Sequence, residues 1–324
     1  MGRESGNGRR VFVVGSSVHA KHDLGGHPEN KRRIDHIWDA LQQGNLLNKV
    51  KVLTARPLGE DELTLVHDPL YVHWLRELSP RENLVIDGDT YMGPDTYEAA
   101  AWSAGCAVRG LEAIMDREGD SAFALCRPPG HHAFSDRAMG FCFFNNAALA
   151  ARAAQSRFGL ERVAIVDWDV HHGNGTQALF YDDPTVLFVS LHQHPAYPGT
   201  GLARERGEGA GVGFTLNIPL PAGASDSDYL ACMLKTVLPT LEAFRPELII
   251  VSAGQDALAE DPLAGMELTP QGYVAMTREL MRVARVYAKG RLLFCLEGGY
   301  HLAGQAEAVR AIVEALAECT PTRA

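Results

Sequence analysis

The chain has 324 residues, 46% hydrophobic and 22% charged, with 40 acidic side chains against 30 basic ones and a formal net charge of −10. This is the composition of a globular protein large enough for a sizeable core. The acidic balance lacks the basic footprint of a nucleic-acid binder, and no apolar run reaches membrane-spanning length, so neither nucleic acid nor membrane is expected as a partner. Six cysteines (Cys106, Cys126, Cys142, Cys232, Cys295 and Cys319) form no CxxC pair. They read as free thiols of a reducing compartment, and with no signal-peptide pattern the expected location is cytoplasmic.

In chain order, residues 1–10 (MGRESGNGRR) read as a flexible polar tail and Val11–Gly15 as a first strand. The stretch His19–Pro28 is loop-like and runs into HPENKRR (His27–Arg33); Arg81–Pro94 is a second glycine- and proline-rich loop. An Ala-rich helix is predicted over Thr96–Asp116 and a strand over Ala122–Cys126, which exits into RPPGHHA. GFCFFNNAALAA (Gly140–Ala151) leads into a helix over Asn145–Phe158, capped by Asn145 or Asn146. The strand Val163–Asp167 delivers VDWDVHHGNG, and Val186–Leu191 precedes the irregular stretch His192–Gly213. Strands Phe214–Ile218, Leu248–Ser252 and Leu292–Leu296 alternate with helices Ser227–Phe244, Pro270–Ala288 and Gly304–Ala317. The continuous hydrophobicity of these strands predicts burial on both faces, as in a parallel sheet. Alternating β and α segments without a linker predict one α/β domain over 1–324, with ligands bound beyond the carboxyl ends of the strands.

The polar motifs fall at those ends. In an extended strand Asp167, Asp169 and His171 share one face, and two carboxylates with an imidazole suit a divalent metal. The plainer alternative is a polar strand end with a capping Asp. Asp256, just past its strand, is placed either as a third ligand or as a helix cap; Asp261, before Pro262, reads as a turn residue. The Pro-Pro-Gly turn presents His131 and His132 together, one suited to act as a neutral base and the other as an electrostatic aid. Two glycines before Tyr300 can carry its phenol into a cleft to donate to an oxyanion, although an isolated GGY is also a common packing motif. Gly140 and Phe141 can line a narrow apolar channel.

RPPGHHA, GFCFFNN, DWDVHHGNGTQ, SLHQ, the Asp of SAGQDALAEDPL and EGGY occur in the order found in the histone deacetylase superfamily, and HPENKRR resembles its N-terminal HPE-type motif. The chain resembles a bacterial class II-type histone deacetylase-like amidohydrolase, with acetylpolyamine amidohydrolases as relatives. The resemblance implies an arginase/deacetylase α/β fold with a central, mostly parallel eight-stranded sheet. It makes Asp169, His171 and Asp256 the zinc ligands, with Fe²⁺ or Co²⁺ suited to the same donors. It makes His131 and His132 the tandem histidines, paired with Asp167 and Asn174 respectively, and Tyr300 the oxyanion tyrosine. Gly140, Phe141 and Tyr197 fall on substrate-tunnel positions, with Leu263 in the loop after Asp256. Asp167, Ser190 and the carbonyls of Asp169, His171 and Leu191 match a structural potassium site, and Arg33 matches an internal product-exit channel. Two positions are distinctive. Asn174 stands where class I enzymes carry Asp, and Tyr197 where Phe is usual. The implied reaction is removal of an acyl group from acyl-lysine in a peptide or protein, with an acylated small amine as the alternative substrate. The rivals are a non-catalytic acyl-lysine reader and an arginase-like binuclear manganese hydrolase. A homo-oligomer remains open.

Overall fold

The computed structural model describes residues 11–78, 84–116 and 120–318. The expected N-terminal tail, positions 81–83 of the second loop and Cys319 lie outside them.

Ten strands form among the described residues: β1 (Val11–Gly15), β2 (Lys51–Thr54), β3 (Leu84–Val85), β4 (Tyr91–Met92), β5 (Ser121–Ala124), β6 (Val163–Asp167), β7 (Val186–Gln193), β8 (Thr215–Leu220), β9 (Leu248–Ala253) and β10 (Leu292–Leu296). Eight of them make one sheet in the order β2-β1-β5-β10-β9-β6-β7-β8. Every neighbouring pair in it is parallel, so the sheet is wholly rather than mostly parallel. Strands β5, β6, β9 and β10 are buried along their whole length, which explains their unbroken apolar sequence.

Strand β2 has no counterpart among the expected elements. It lies at the sheet edge with Lys51, Val52 and Thr54 exposed, so it needs no apolar run and shows none. The predicted strand at Ala122–Cys126 begins one residue earlier and ends at Ala124. The second loop contains a short antiparallel pair, β3 with β4.

The helices are α1 (Arg32–Gln43), α2 (Glu60–Leu63), α3 (Pro69–Leu78), α4 (Thr96–Met115), α5 (Asn146–Phe158), α6 (Asn174–Leu179), α7 (Asp226–Cys232), α8 (Leu238–Phe244), α9 (Pro270–Tyr287) and α10 (Leu302–Glu318). Helix α1 is likewise additional to the expected elements, although it buries Arg33, Ile34, Ile37 and Leu41 at helical spacing. The single helix expected over Ser227–Phe244 is α7 and α8 joined by a π-helical segment, Met233–Val237. Pro239 cannot donate to the carbonyl one turn back, and the wider turn accommodates that gap. Asn145 is the cap of α5, its side chain accepting from the Ala148 N–H at 3.0 Å.

The register positions the site. Cys295, Ser252, Asp167 and Ser190 lie in one row across β10, β9, β6 and β7. Four adjacent strands, β5, β10, β9 and β6, therefore release their polar loops side by side.

Candidate active site

Strand β6 ends at Asp167, and residues 169–171 are bends rather than extended chain. Asp167, Asp169 and His171 therefore do not share a strand face as expected. Asp169 and His171 meet through a turn, while Asp167 turns to His131. Asp169 Oδ1 accepts the His171 N–H at 2.9 Å and lies 3.1 Å from His171 Nδ1. Asp256 Oδ2 approaches the same Nδ1 at 3.1 Å, and its Oδ1 accepts the Val170 N–H at 2.9 Å. No helix follows Asp256 before α9, which removes the capping alternative. Ligand atoms of Asp169, His171 and Asp256 all lie within 4.8 Å of one another.

The tandem histidines come from the turn after β5. Their rings lie 4.0 Å apart. His131 Nδ1 is 3.0 Å from Asp167 Oδ2, whereas His132 Nδ1 is 2.7 Å from the neutral Asn174 Oδ1. Burial opposes charging of both rings. For His131 the carboxylates of Asp169 and Asp167 outweigh it and hold the pKa well above the ordinary value. For His132 burial prevails, reinforced by His131 and His171, and the pKa falls well below it. Burial likewise opposes the charge on His171, but Asp169 and Asp256 raise its pKa to about 10.

Glu297, the first letter of EGGY, is a contributor that the sequence does not single out. It is fully buried. Its Oε2 accepts the N–H groups of Gly130 at 2.6 Å and His131 at 3.2 Å, and its Oε1 accepts the Ser252 hydroxyl at 3.0 Å. The segment carrying Tyr300 thus holds the turn carrying the histidines.

A narrow cleft of about 50 Å³ opens above these groups, lined by Pro129, His131, His132, Gly140, Phe141, His171, Tyr197, Leu263 and Tyr300. Gly140 and Phe141 both have positive φ, 54° and 68°, at the centre of a tight turn closed by Met139 and Cys142. A side chain on Gly140 would strike the His132 ring. Phe141 stands edge-on to Tyr300 with centroids 5.9 Å apart, and Tyr197 edge-on to His132 at 5.2 Å. Tyr197 and Leu263 are 40% and 42% exposed, which places them at the mouth. A larger cleft of about 700 Å³ lies beside Asn174, but Gln177, Tyr181 and Glu208 on its walls bring it no group of the trio.

Beneath the cleft, Arg33 is fully buried; its Nε donates to Gly299 O at 2.7 Å and its guanidinium lies 5.0 Å from the Tyr300 ring centre. Arg33 and Arg127 share the carboxylate of Glu29, at 3.1 and 2.8 Å. Asp261 is a turn residue as expected, its Oδ1 accepting the Leu263 N–H two residues on, and its Oδ2 also accepts the N–H groups of Tyr300 and His301 from the next loop. Ser190 stands in register with Asp167, and its Oγ is 2.9 Å from His192 Nδ1.

The donor chemistry of the trio suits a divalent metal. Asp167, Asp169, Asp256 and Glu297 are all buried, and the cationic side chains within 4 Å of Asp169 and Asp256 among the described residues are histidines alone. Buried carboxylates without Lys or Arg partners call for another cation. A second trio, His131, Cys142 and Glu297, is equally compact. Burial holds its thiol protonated, and Glu297 is already occupied by three donors.

The family model for the histone deacetylase domain matches residues 27–316. The chain belongs to the histone deacetylase family. This family member is 44% identical over 274 residues to a histone deacetylase-like amidohydrolase of Pseudomonas aeruginosa, covering 84% of this chain and 71% of that protein. It is 38% identical over 280 residues to a probable deacetylase of Archaeoglobus fulgidus, covering 86% and 77%. The mouse polyamine deacetylase HDAC10 is 40% identical over 305 residues, 89% of this chain but 44% of that protein. Among solved structures, the HDA15 HD domain superposes with a TM-score of 0.91 at 37% identity, covering 97% of this chain and 90% of that one. The arrangement is thus the arginase/deacetylase fold, and the protein is a histone deacetylase-family hydrolase. No described helix is long and apolar enough to cross a membrane.

Proposed function

We propose that the protein is a zinc-dependent deacylase acting on N-ε-acetyl-lysine, or a related short acyl-lysine, in a peptide or protein. The observation that carries this reading is the trio Asp169, His171 and Asp256, its two carboxylates buried and its histidine lining a narrow cleft with His132 and Tyr300. These three side chains would hold the metal, and zinc there would polarise the acyl carbonyl and acidify a water; Fe²⁺ and Co²⁺ suit the same donors.

The residues of the chain divide the remaining work. His132, kept neutral by burial and by the neighbouring His131 and His171, is the base that takes a proton from the attacking water and returns it to the departing amine. His131 stays cationic against Asp167 and stabilises negative charge nearby. Burial pushes the Tyr300 phenol well above its ordinary pKa, so it remains a donor and meets the oxyanion as charge develops. The amide C–N bond breaks, water supplies the oxygen of the acid, and the amine leaves protonated. Gly140, Phe141, Tyr197 and Leu263 bound the acyl-lysine tunnel. Arg33, by the family resemblance, would stand at an internal route for the departing small acid. Asp167 and Ser190, with the carbonyls of Asp169, His171 and Leu191, would hold a structural potassium ion; no hydrogen bond among the described residues reaches the carbonyl oxygens of Asp169 or His171, which leaves them free for one.

The polyamine alternative draws support from the similarity to the mouse polyamine deacetylase. Lysine is preferred because Leu263, at the mouth, offers no charge to anchor a second ammonium. The test is hydrolysis of acetyl-lysine peptides and N-acetylated polyamines by the same preparation, before and after chelation and zinc return. Faster turnover of polyamines rejects the lysine assignment, and activity unchanged by complete metal removal rejects the metal.

A further inference from the structure

Tyr300 follows two glycines, the second at φ 120°. A glycine pair leaves the backbone free to turn, so the direction of the phenol must be imposed from outside the turn. Asp169 Oδ2 accepts the Gly298 N–H at 2.8 Å, and Arg33 Nε donates to Gly299 O at 2.7 Å. The tyrosine's own N–H is held by a third residue. Asp261 Oδ2 accepts it at 2.6 Å, together with the His301 N–H at 3.2 Å. Asp261 is only 6% exposed, and its other oxygen accepts the Leu263 N–H at 3.0 Å. Leu263 and Tyr300 are separate contributions to the cleft lining, one from the loop after β9 and one from the loop after β10.

We propose that Asp261 is a positioning residue: its carboxylate sets where the Tyr300 phenol stands relative to the Leu263 wall. The inference rests on reading Tyr300 as the oxyanion donor. Three N–H groups converge on one carboxylate, which as an anion accepts them all. Asparagine has the same shape but only one acceptor oxygen, so it must release either Leu263 or the Tyr300–His301 pair.

The experiment is a double-mutant cycle of Asp261→Asn and Tyr300→Phe, with kcat, KM and metal content on one acetyl-lysine peptide. Asp261→Asn is expected to lower kcat roughly ten- to a hundredfold, the scale of a misplaced catalytic group, with KM changed by less than about twofold and metal retained. In the Tyr300→Phe background the same change should lower kcat by less than about twofold, because the donor it positions is gone. Equal losses in both backgrounds, or loss of metal together with kcat, would overturn the proposal. An unaffected kcat in Asp261→Asn, with Tyr300→Phe impaired, overturns it alone. Wild-type kcat in Tyr300→Phe brings down the reading of Tyr300 and this inference with it. Asp261→Ser, smaller and still an acceptor, supplies the cycle if Asp261→Asn does not fold.

Discussion

His131 in the site and two histidines outside it are equally hidden and behave in opposite ways. At the strand ends His131 is 2% exposed, and outside the site His67 and His22 are also 2% exposed. Burial drives His67 and His22 down to a pKa of about 4. His67 is built for neutrality: Nδ1 donates to Phe134 O at 2.9 Å and Nε2 accepts the Asn145 N–H at 3.0 Å. His22 stacks on Tyr91 with centroids 4.5 Å apart and meets Thr96 Oγ1 at 2.8 Å. In the site, carboxylates outweigh burial at His131 and at the partly exposed His171, while His132, paired with the neutral Asn174, stays low. Depth alone therefore does not fix the charge of a histidine; the buried carboxylates beside it do.

The harshest way to break this contrast is Asp169→Ala. It removes one member of the trio and one of the charges that hold His131 up, so metal retention and activity should both be lost. Elemental analysis of the purified variant checks the first; a full metal equivalent would reject Asp169 as a ligand.

A gentler change makes the neutral site histidine resemble its neighbour. Asn174→Asp sets a carboxylate beside His132 and should raise its pKa. A base that must be neutral then becomes available only at higher pH, so the acidic limb of the pH–rate profile should move upward. An unmoved limb would count against His132 as the base.

The smallest expected effect lies outside the site. Because His67 titrates near 4 in the folded chain and near 6.5 when unfolded, its contribution is full above pH 6.5 and fades as pH falls toward 4. The stability cost of His67→Gln should accordingly shrink by about 2 kcal/mol between about pH 7 and about pH 5. Denaturant unfolding of both proteins at the two pH values measures it, and a cost independent of pH would show that His67 is not held neutral.

Much of the site is legible in the sequence because its chemistry is written in short, unusual runs. Asp169 and His171 lie two residues apart, His131 and His132 are adjacent, and each run follows an apolar strand. The pairings with Asp167 and Asn174 come only through the family resemblance, since nothing in the spacing connects residue 132 to residue 174. Glu297 and Asp261 are hidden for a different reason. Each is an acid beside glycine or proline, where turns commonly place one, and their targets are backbone N–H groups that leave no mark in sequence. The edge strand β2 and helix α1 are hidden because the first is solvent-exposed and the second sets a buried Arg33 among polar neighbours.

The sequence by itself determined the class of architecture, since a strand buried on both faces must be apolar throughout, and it determined the kinds of groups that stand at the strand ends. The tertiary structure decided which of those groups meet. The trio closes through a turn beyond β6 and a loop beyond β9, and Asp261 and Arg33 from elsewhere in the chain bind the backbone at Tyr300 and Gly299. Hydrogen bonds between distant segments depend on register and strand order, and those follow from packing the whole sheet rather than from any local run of residues.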